Sequence, residues 1–341
     1  MALKLGLMQG YWGARPPEDL IGTAKRAEAL GYWGFFTAEA YGSDALTPLA
    51  WVGAHTEKIK LGTAIVQLSA RTPTATAMHA LTLDHLTGGR MILGLGVSGP
   101  QVVEGWYGRP FAKPLARTRE YVDIIRQVLK REAPVQNSGP HYPIPYPEDA
   151  EGSWGLGKPL KPITHPLRAD LPIFLGAEGP KNVAMAAEIC DGWFPLYYSP
   201  ARPEMYADSI AGRKDGFEIT YPMQMHITDD MEAGRLPVKQ NVALYVGGMG
   251  SRDQNFHNAV VGRLGYEDAA KEIQDLYLDG KKAEAIAAVP DALVDEIALV
   301  GPKDRIKQRL AEWDDSAVTS LLVWPKNDAD LATYAELVLD T

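Results

Sequence analysis

The sequence predicts an α/β chain folded as a (β/α)8 barrel, with insertions after the fourth helix and after the seventh strand. Three observations predict it. Short apolar runs alternate with amphipathic stretches, no hairpin joins the early strands, and the alternation counts to eight. Such units close into a barrel or lie in an open doubly wound sheet, and eight strands with eight crossovers fit closure better. One domain is expected over 1–341, with a rim insertion at about 133–170 and a helical insertion at about 233–299.

Taken in order, Leu3 to Met8 is an apolar strand, and Pro16 and Pro17 open a helix whose Leu20, Ala24, Ala27 and Leu30 share a face before Gly31 ends it. Trp33 to Ala38 is the second strand and Leu46 to Thr56 the second helix; Ile59 to Leu68 and Thr72 to Leu86 are the third pair. Gly88 and Gly89 then supply a left-handed stop, and Met91 to Leu95 reads as a buried strand, followed by the helix Ala116 to Arg131. From Ala133 to Asp170 periodicity gives way to eight prolines, an excursion at one barrel rim with room for a short hairpin. Alternation resumes with strand Pro172 to Gly176, helix Pro180 to Cys190, strand Trp193 to Tyr197, helix Arg202 to Arg213 and the β-rich run Glu218 to Ile227, taken as strand seven. Ala233 to Leu299 reads as mostly helical; helix Asp304 to Trp313, strand Val318 to Trp324 and helix Asp328 to Leu339 close the chain.

Composition bounds the function. With 46% hydrophobic and 23% charged residues, 341 residues bury a large core, and a net charge of −9 argues against binding a nucleic-acid backbone. The single cysteine, Cys190, cannot form an intrachain disulfide and fits a reducing cytoplasm. No apolar run of about eighteen residues suggests a membrane span, and the first residues lack the basic and apolar regions of a signal peptide.

In a barrel the chemistry sits at the carboxyl ends of the strands. Those ends carry Gln9 and Tyr11; Glu39 and Tyr41; Gln67 and Arg71; Val97, Ser98 and Gly99; Gly176, Ala177, Glu178 and Gly179; Tyr197 and Tyr198; His226; and Trp324. The glycine-rich fourth and fifth ends suit a phosphate and ring cradle, because small residues let a ligand approach the backbone and Pro180 opens a helix whose dipole faces an anion. Tight strand-to-helix turns with no ligand remain the plain alternative. Gly94 to Gly99 also matches the dinucleotide G-x-G-x-x-G, but no long helix follows at once and no acidic residue ends a next strand.

Other motifs weaken on inspection. Gly152 to Lys158 spells most of a phosphate loop, yet Pro159 replaces its hydroxyl. Seven histidines show no zinc spacing, no nucleophile elbow appears, and Cys190 reads as a small buried residue. Asp84 is placed to pair with Arg90, and Trp106, Tyr107 and Phe111 to roof a cofactor, pack a loop or make a subunit contact.

TAEAYGSD, GTAIVQLSARTP, LTLDHLTGGRMILGLGVSG and LGAEGPKNVAMAAEICDGWF together resemble the luciferase-like monooxygenase superfamily, and within it the oxidoreductases that use the deazaflavin coenzyme F420. The resemblance spans nearly the whole chain. It implies a flavin-like ring held across the strand ends, a non-proline cis peptide behind it at Ala64 and Ile65, and phosphate contacts at Val97, Ser98, Gly99, Gly176, Ala177, Glu178 and Gly179. It also places Glu39 near the reacting face, as a cofactor contact or proton relay.

The sugar-phosphate dehydrogenases of that branch have a histidine and a glutamate where this chain has Ala40 and Gly99, which argues against alcohol oxidation. The reading is therefore hydride transfer from reduced F420 to an enone or carbonyl, protonated by Glu39, Tyr41, Tyr197, His257 or water. An FMN monooxygenase using oxygen is the alternative, and a non-catalytic carrier the third. Pocket walls are expected from Pro134 to Pro166 and the helical insertion, and the apolar faces of the early helices suggest a homodimer.

Overall fold

The computed structural model describes residues 2–250, 252 and 255–339. Its strands are β1 (Lys4–Gly10), β2 (Gly34–Thr37), β3 (Lys60–Thr63), β4 (Val66–Gln67), β5 (Met91–Gly96), β6 (Ile173–Gly176), β7 (Gly192–Phe194), β8 (Glu218–Pro222), β9 (Met225–Ile227), β10 (Leu299–Gly301) and β11 (Ser320–Val323). All pairings among them are parallel. The ladder runs β3, β2, β1, β11, β8, β7, β6, β5, and β5 pairs back to β3, so the sheet closes. β4 continues β3 past an interruption at Ala64 and Ile65 and also pairs with β5, which makes an eight-stranded barrel.

Between and after the strands lie α1 (Leu20–Ala29), α2 (Leu46–Gly53), α3 (Pro73–Leu86), α4 (Pro100–Gly105), α5 (Pro114–Lys130), α6 (Pro180–Ile189), α7 (Glu204–Ile210), α8 (Met231–Val242), α9 (Phe256–Val261), α10 (Glu267–Leu278), α11 (Lys282–Ala287), α12 (Asp291–Ile297), α13 (Lys303–Asp314) and α14 (Asp328–Leu339). Their starts follow the sequence. Asp19 and Thr72 accept from amides in the first turns of α1 and α3, and α3 ends where Gly88 and Gly89 take φ of 64° and 85°. No helix among the described residues is long and apolar enough to cross a membrane.

Two apolar layers hold the barrel. One lies between sheet and helices; the other fills the interior with Met8, Phe36, Ile92, Phe174, Phe194 and Leu322. Phe36 fits because its neighbour is Gly62, where an added Cβ would stand 2.1 Å from the ring. At Gly94 an added Cβ would stand 1.8 Å from the Thr63 carbonyl oxygen, so the fourth strand is glycine there for space.

Two local expectations change. The run Glu218 to Ile227 is not one strand: β8 ends at Pro222, which has no N–H for a ladder, and β9 pairs instead with β10 in a separate two-stranded sheet. His226 therefore sits on this side sheet, not on a barrel strand. Asp84 bonds Arg168 rather than Arg90, because Arg90 turns inward to Thr56 and the carbonyls of Gly53, Thr56, Ile59 and Thr87. The proline-rich excursion carries an antiparallel bridge between Asn137 and Ile144. It packs along α5, where Glu120 accepts from Asn137, His141 and Tyr142 and Arg131 donates to the Pro162 carbonyl.

The helical insertion builds a second core from α8 to α12, with Val242, Val246, Val261, Leu264, Ile273 and Leu293 fully buried. Two π-helical segments interrupt it, at Ala243–Gly248 and Gly262–Tyr266. Tyr197, at the end of β7, packs into this core, which brings the insertion to the barrel mouth.

Candidate active site

The peptide between Ala64 and Ile65 is cis, as the resemblance implies. Its backbone is tied to the second strand end, with Ala64 donating to the Thr37 carbonyl at 2.7 Å and Ile65 accepting from the Glu39 amide at 3.2 Å. The Ile65 side chain lies against Gly96 and Gly176, so the ends of β5 and β6 meet on one apolar platform. An added Cβ at Gly96 would stand 2.8 Å from Ile65 Cγ1.

Val97, Ser98 and Gly99 follow this platform and are partly exposed. Ser98 has φ of 60°, a left-handed conformation that non-glycine residues adopt at a cost and that turns successive amides toward one side. Gly179 caps α6, and open space surrounds its Cα. Pro180 brings no N–H and the Asn182 and Val183 amides donate to the Gly179 carbonyl, so this end offers an anion the Lys181 amide and the helix dipole. Ala177 plays a different part from Gly176, Glu178 and Gly179: it is buried, its carbonyl accepts from Trp193 Nε1 at 2.7 Å, and its amide points at the Phe194 carbonyl.

Glu39 is fully committed. Buried at 7% exposure, it accepts from Arg71 at 2.7 Å and 3.0 Å, from the Gln67 amide at 3.0 Å and from the Ala45 amide at 3.2 Å. This cluster locks β2, β4 and the start of α3 together. Tyr41 stands exposed above it, 6.5 Å from the Trp106 ring, while Tyr107 donates to the Ala40 carbonyl. Phe111 faces Phe256, and Tyr11 and Trp324 are half exposed, so an apolar rim surrounds the opening.

The insertion contributes the far wall. Asn255 caps α9 and also donates to the Val246 carbonyl at 2.7 Å, fixing α9 against the preceding π-helical segment. His257 Nδ1 thereby comes within 2.8 Å of Glu178 Oε1, near enough for an ion pair yet out of line for a hydrogen bond. Arg263, from the second π-helical segment, donates to the Glu178 carbonyl at 2.8 Å, and Tyr245 meets His257 edge to face at 5.0 Å. Burial raises the Tyr197 phenol well above its ordinary value and Tyr245 up to about 12, so both stay protonated.

Among the described residues, eight buried side-chain polar atoms lack a hydrogen-bond partner, and six of them belong to strand ends, to the segments that follow them or to the insertion: Trp12 Nε1, Gln67 Oε1, Glu178 Oε2, Asn182 Oδ1, Tyr197 OH and His257 Nδ1. Unpaired buried groups cost about 1–3 kcal/mol each, so their concentration in these segments marks a place built for something else to bind.

Several strand-end residues lie elsewhere. Tyr198 points into the outer core among Trp193, Tyr206, Tyr221 and Trp313. His226 is drawn down to about 4 by burial, with Lys326 adding to it. Cys190 is buried and its thiol is pushed up to about 12. The proline-rich excursion reaches this region through Tyr142, which accepts from Arg117, while the helical insertion approaches it through Tyr197 and His257. Among the described residues no group of acidic, histidine or cysteine side chains is placed to hold a metal. A cavity of about 200 Å3 opens at the opposite, amino-terminal end between Trp33, Lys60, Phe174 and Glu218, away from those unpaired polar groups. Sequence reasoning missed Trp12, Asn182, Tyr245 and Arg263; Trp12 alone carried a signal, two residues past a strand end.

Fold and site define a closed parallel barrel with glycine-rich turns and unpaired polar groups at the carboxyl ends of its strands. The chain belongs to the luciferase-like monooxygenase family, whose profile matches residues 5–320. It is 54% identical over 345 residues, 98% of this chain and 99% of the other, to a Mycobacterium tuberculosis protein provisionally named a coenzyme F420-dependent oxidoreductase. The fold matches the coenzyme F420-dependent tetrahydromethanopterin reductase of Methanopyrus kandleri, with TM-score 0.79, 23% identity, and 100% and 99% of the two chains covered. It also matches the FMN-bound oxygenating constituent of 3,6-diketocamphane monooxygenase of Pseudomonas putida, with TM-score 0.66, 17% identity, and 100% and 99% covered.

Proposed function

We propose that the protein is a coenzyme F420-dependent oxidoreductase that reduces an enone or carbonyl compound by hydride transfer. The relative at 54% identity supports the cofactor, and the cis Ala64–Ile65 peptide, which sets Ile65 against Gly96 and Gly176, carries the site. The residues present fit a flat ring with an anionic tail. Ile65 offers an apolar face between glycines that a side chain would obstruct, and the left-handed turn at Ser98 and the dipole at the start of α6 suit an anion.

When bound, the deazaflavin supplies a hydride at one ring carbon. The chain does the rest. Ile65, Gly96 and Gly176 seat the ring, Gly99 and Gly179 leave room for its tail, and Tyr41, Trp106 and Phe256 receive an apolar substrate at the opening. Glu39 holds Arg71 and the second strand end and does not move a proton, because both its oxygens are engaged. The proton falls to Tyr197 or His257, the two predicted donors with unpaired polar atoms at the mouth. A homodimer in the cytoplasm belongs to the same proposal; exposed Met78 and Leu86 on α3 and the free Cys190 support it.

The test is an anaerobic assay of the protein with the reduced deazaflavin and a panel of enones, aldehydes and ketones. Return of the oxidised cofactor's visible absorbance with stoichiometric product is expected. Turnover with reduced FMN and oxygen alone would replace this reading by the monooxygenase one.

A further inference from the structure

We infer that Glu178 is a positioning residue that sets His257 as the proton donor of this site, an assignment that rests on the reductive reading above. The resemblance gives Glu178 to the cofactor's phosphate, yet its carboxylate turns away from that duty. One oxygen faces His257 Nδ1 at 2.8 Å, and the other is buried with no donor. A carboxylate with an unpaired oxygen repels a phosphate, so an anion at this loop meets the amides around Gly179, not the Glu178 side chain.

Among the described residues, the groups facing His257 come from three segments packed against it. They are Glu178 from the turn before α6, Tyr245 from the first π-helical segment, and Arg263 from the second, which holds the Glu178 carbonyl. Tyr197 neighbours Glu178 from the end of β7, while Tyr11 and Tyr41 neighbour Tyr245 from across the opening. Among the described residues Glu178 is the carboxylate in this set, standing beside the imidazole nitrogen at 2.8 Å. The phenols of Tyr197 and Tyr245 stay neutral and do not compete. With Nδ1 beside the carboxylate, Nε2 is the atom left to face substrate or solvent.

In the step, hydride from the reduced deazaflavin forms a C–H bond at the electrophilic carbon of the substrate. The proton leaves His257 Nε2 and forms the O–H bond of the alcohol, or the second C–H bond of a reduced enone. The substrate gains two electrons, the cofactor loses two, and the proton left on the oxidised deazaflavin passes through water to the imidazole.

Glu178→Gln keeps the shape and removes the charge. In the cofactor-free protein, nuclear magnetic resonance is expected to show the His257 ring nitrogens shifted in Glu178→Gln and returned toward the wild-type positions in Glu178→Asp. Turnover is expected to fall at least about tenfold in Glu178→Gln and in His257→Asn, with deazaflavin affinity changed less than about threefold. Unmoved ring signals overturn the proposal, as does a variant that loses cofactor binding while its ring signals stay in place. The ring signals decide the pair without any cofactor. A wild type that fails to bind the deazaflavin instead removes the functional reading, so the two failures are told apart.

Discussion

Arg71 Nη1 reaches both oxygens of Glu39, at 2.7 Å and 3.0 Å, with Glu39 buried and Arg71 largely so. An acidic residue at a strand end reads from sequence as a candidate proton relay. Its surroundings make it a fastening between the second and third strand ends.

Glu39→Gln is therefore expected to cost about 2–4 kcal/mol of stability, since Arg71 is left without its charge partner in a mostly buried place. Glu39→Gln with Arg71→Met recovers part of that loss. Urea denaturation of the three proteins measures it; an undiminished midpoint for Glu39→Gln would free the carboxylate for another role.

Gly96 and Gly179 separate packing from binding. Gly96→Ala pushes a Cβ to 2.8 Å from Ile65 and is expected to lower both stability, by about 1–3 kcal/mol, and deazaflavin affinity. Gly179→Ala meets open space and has an ordinary backbone, so stability changes little while affinity for the tail falls. Thermal denaturation beside a binding titration distinguishes them.

Tyr197 has a buried hydroxyl with no partner. Tyr197→Phe is expected to raise stability by about 1 kcal/mol and to slow turnover. A gain in neither thermal midpoint nor a loss in rate would place the hydroxyl outside the site's chemistry.

His226 gives a pH dependence. Burial, with Lys326 adding to it, lowers it to about 4, whereas in the unfolded chain it titrates near 6.5. Between those values the unfolded chain binds the extra proton and the native one does not. Stability is thus full above about pH 6.5 and falls by roughly 2–3 kcal/mol as pH drops toward 4. His226→Phe is expected to remove this share of the acid sensitivity in urea titrations repeated down that range.

The barrel was legible because buried parallel strands and amphipathic helices each leave a local period, and the fourth and fifth glycine-rich ends stand out against it. The pairing of β9 with β10 was not: three-residue strands carry no period, and the partners lie far apart in sequence. Asp84 likewise finds Arg168 across 84 residues rather than nearby Arg90. Tyr245 and Arg263 were hidden because each sits in a π-helical segment, where the spacing of a regular helix fails. The platform residue Ile65 came from the resemblance, since no local pattern marks an apolar residue as a ring support.

The most direct measurement is an equilibrium titration of the purified protein with oxidised coenzyme F420 and, separately, with FMN, followed by fluorescence quenching. The account predicts saturable binding of the deazaflavin, weakened in Gly179→Ala, and much weaker binding of FMN. Tight FMN binding with no response to the deazaflavin would contradict it.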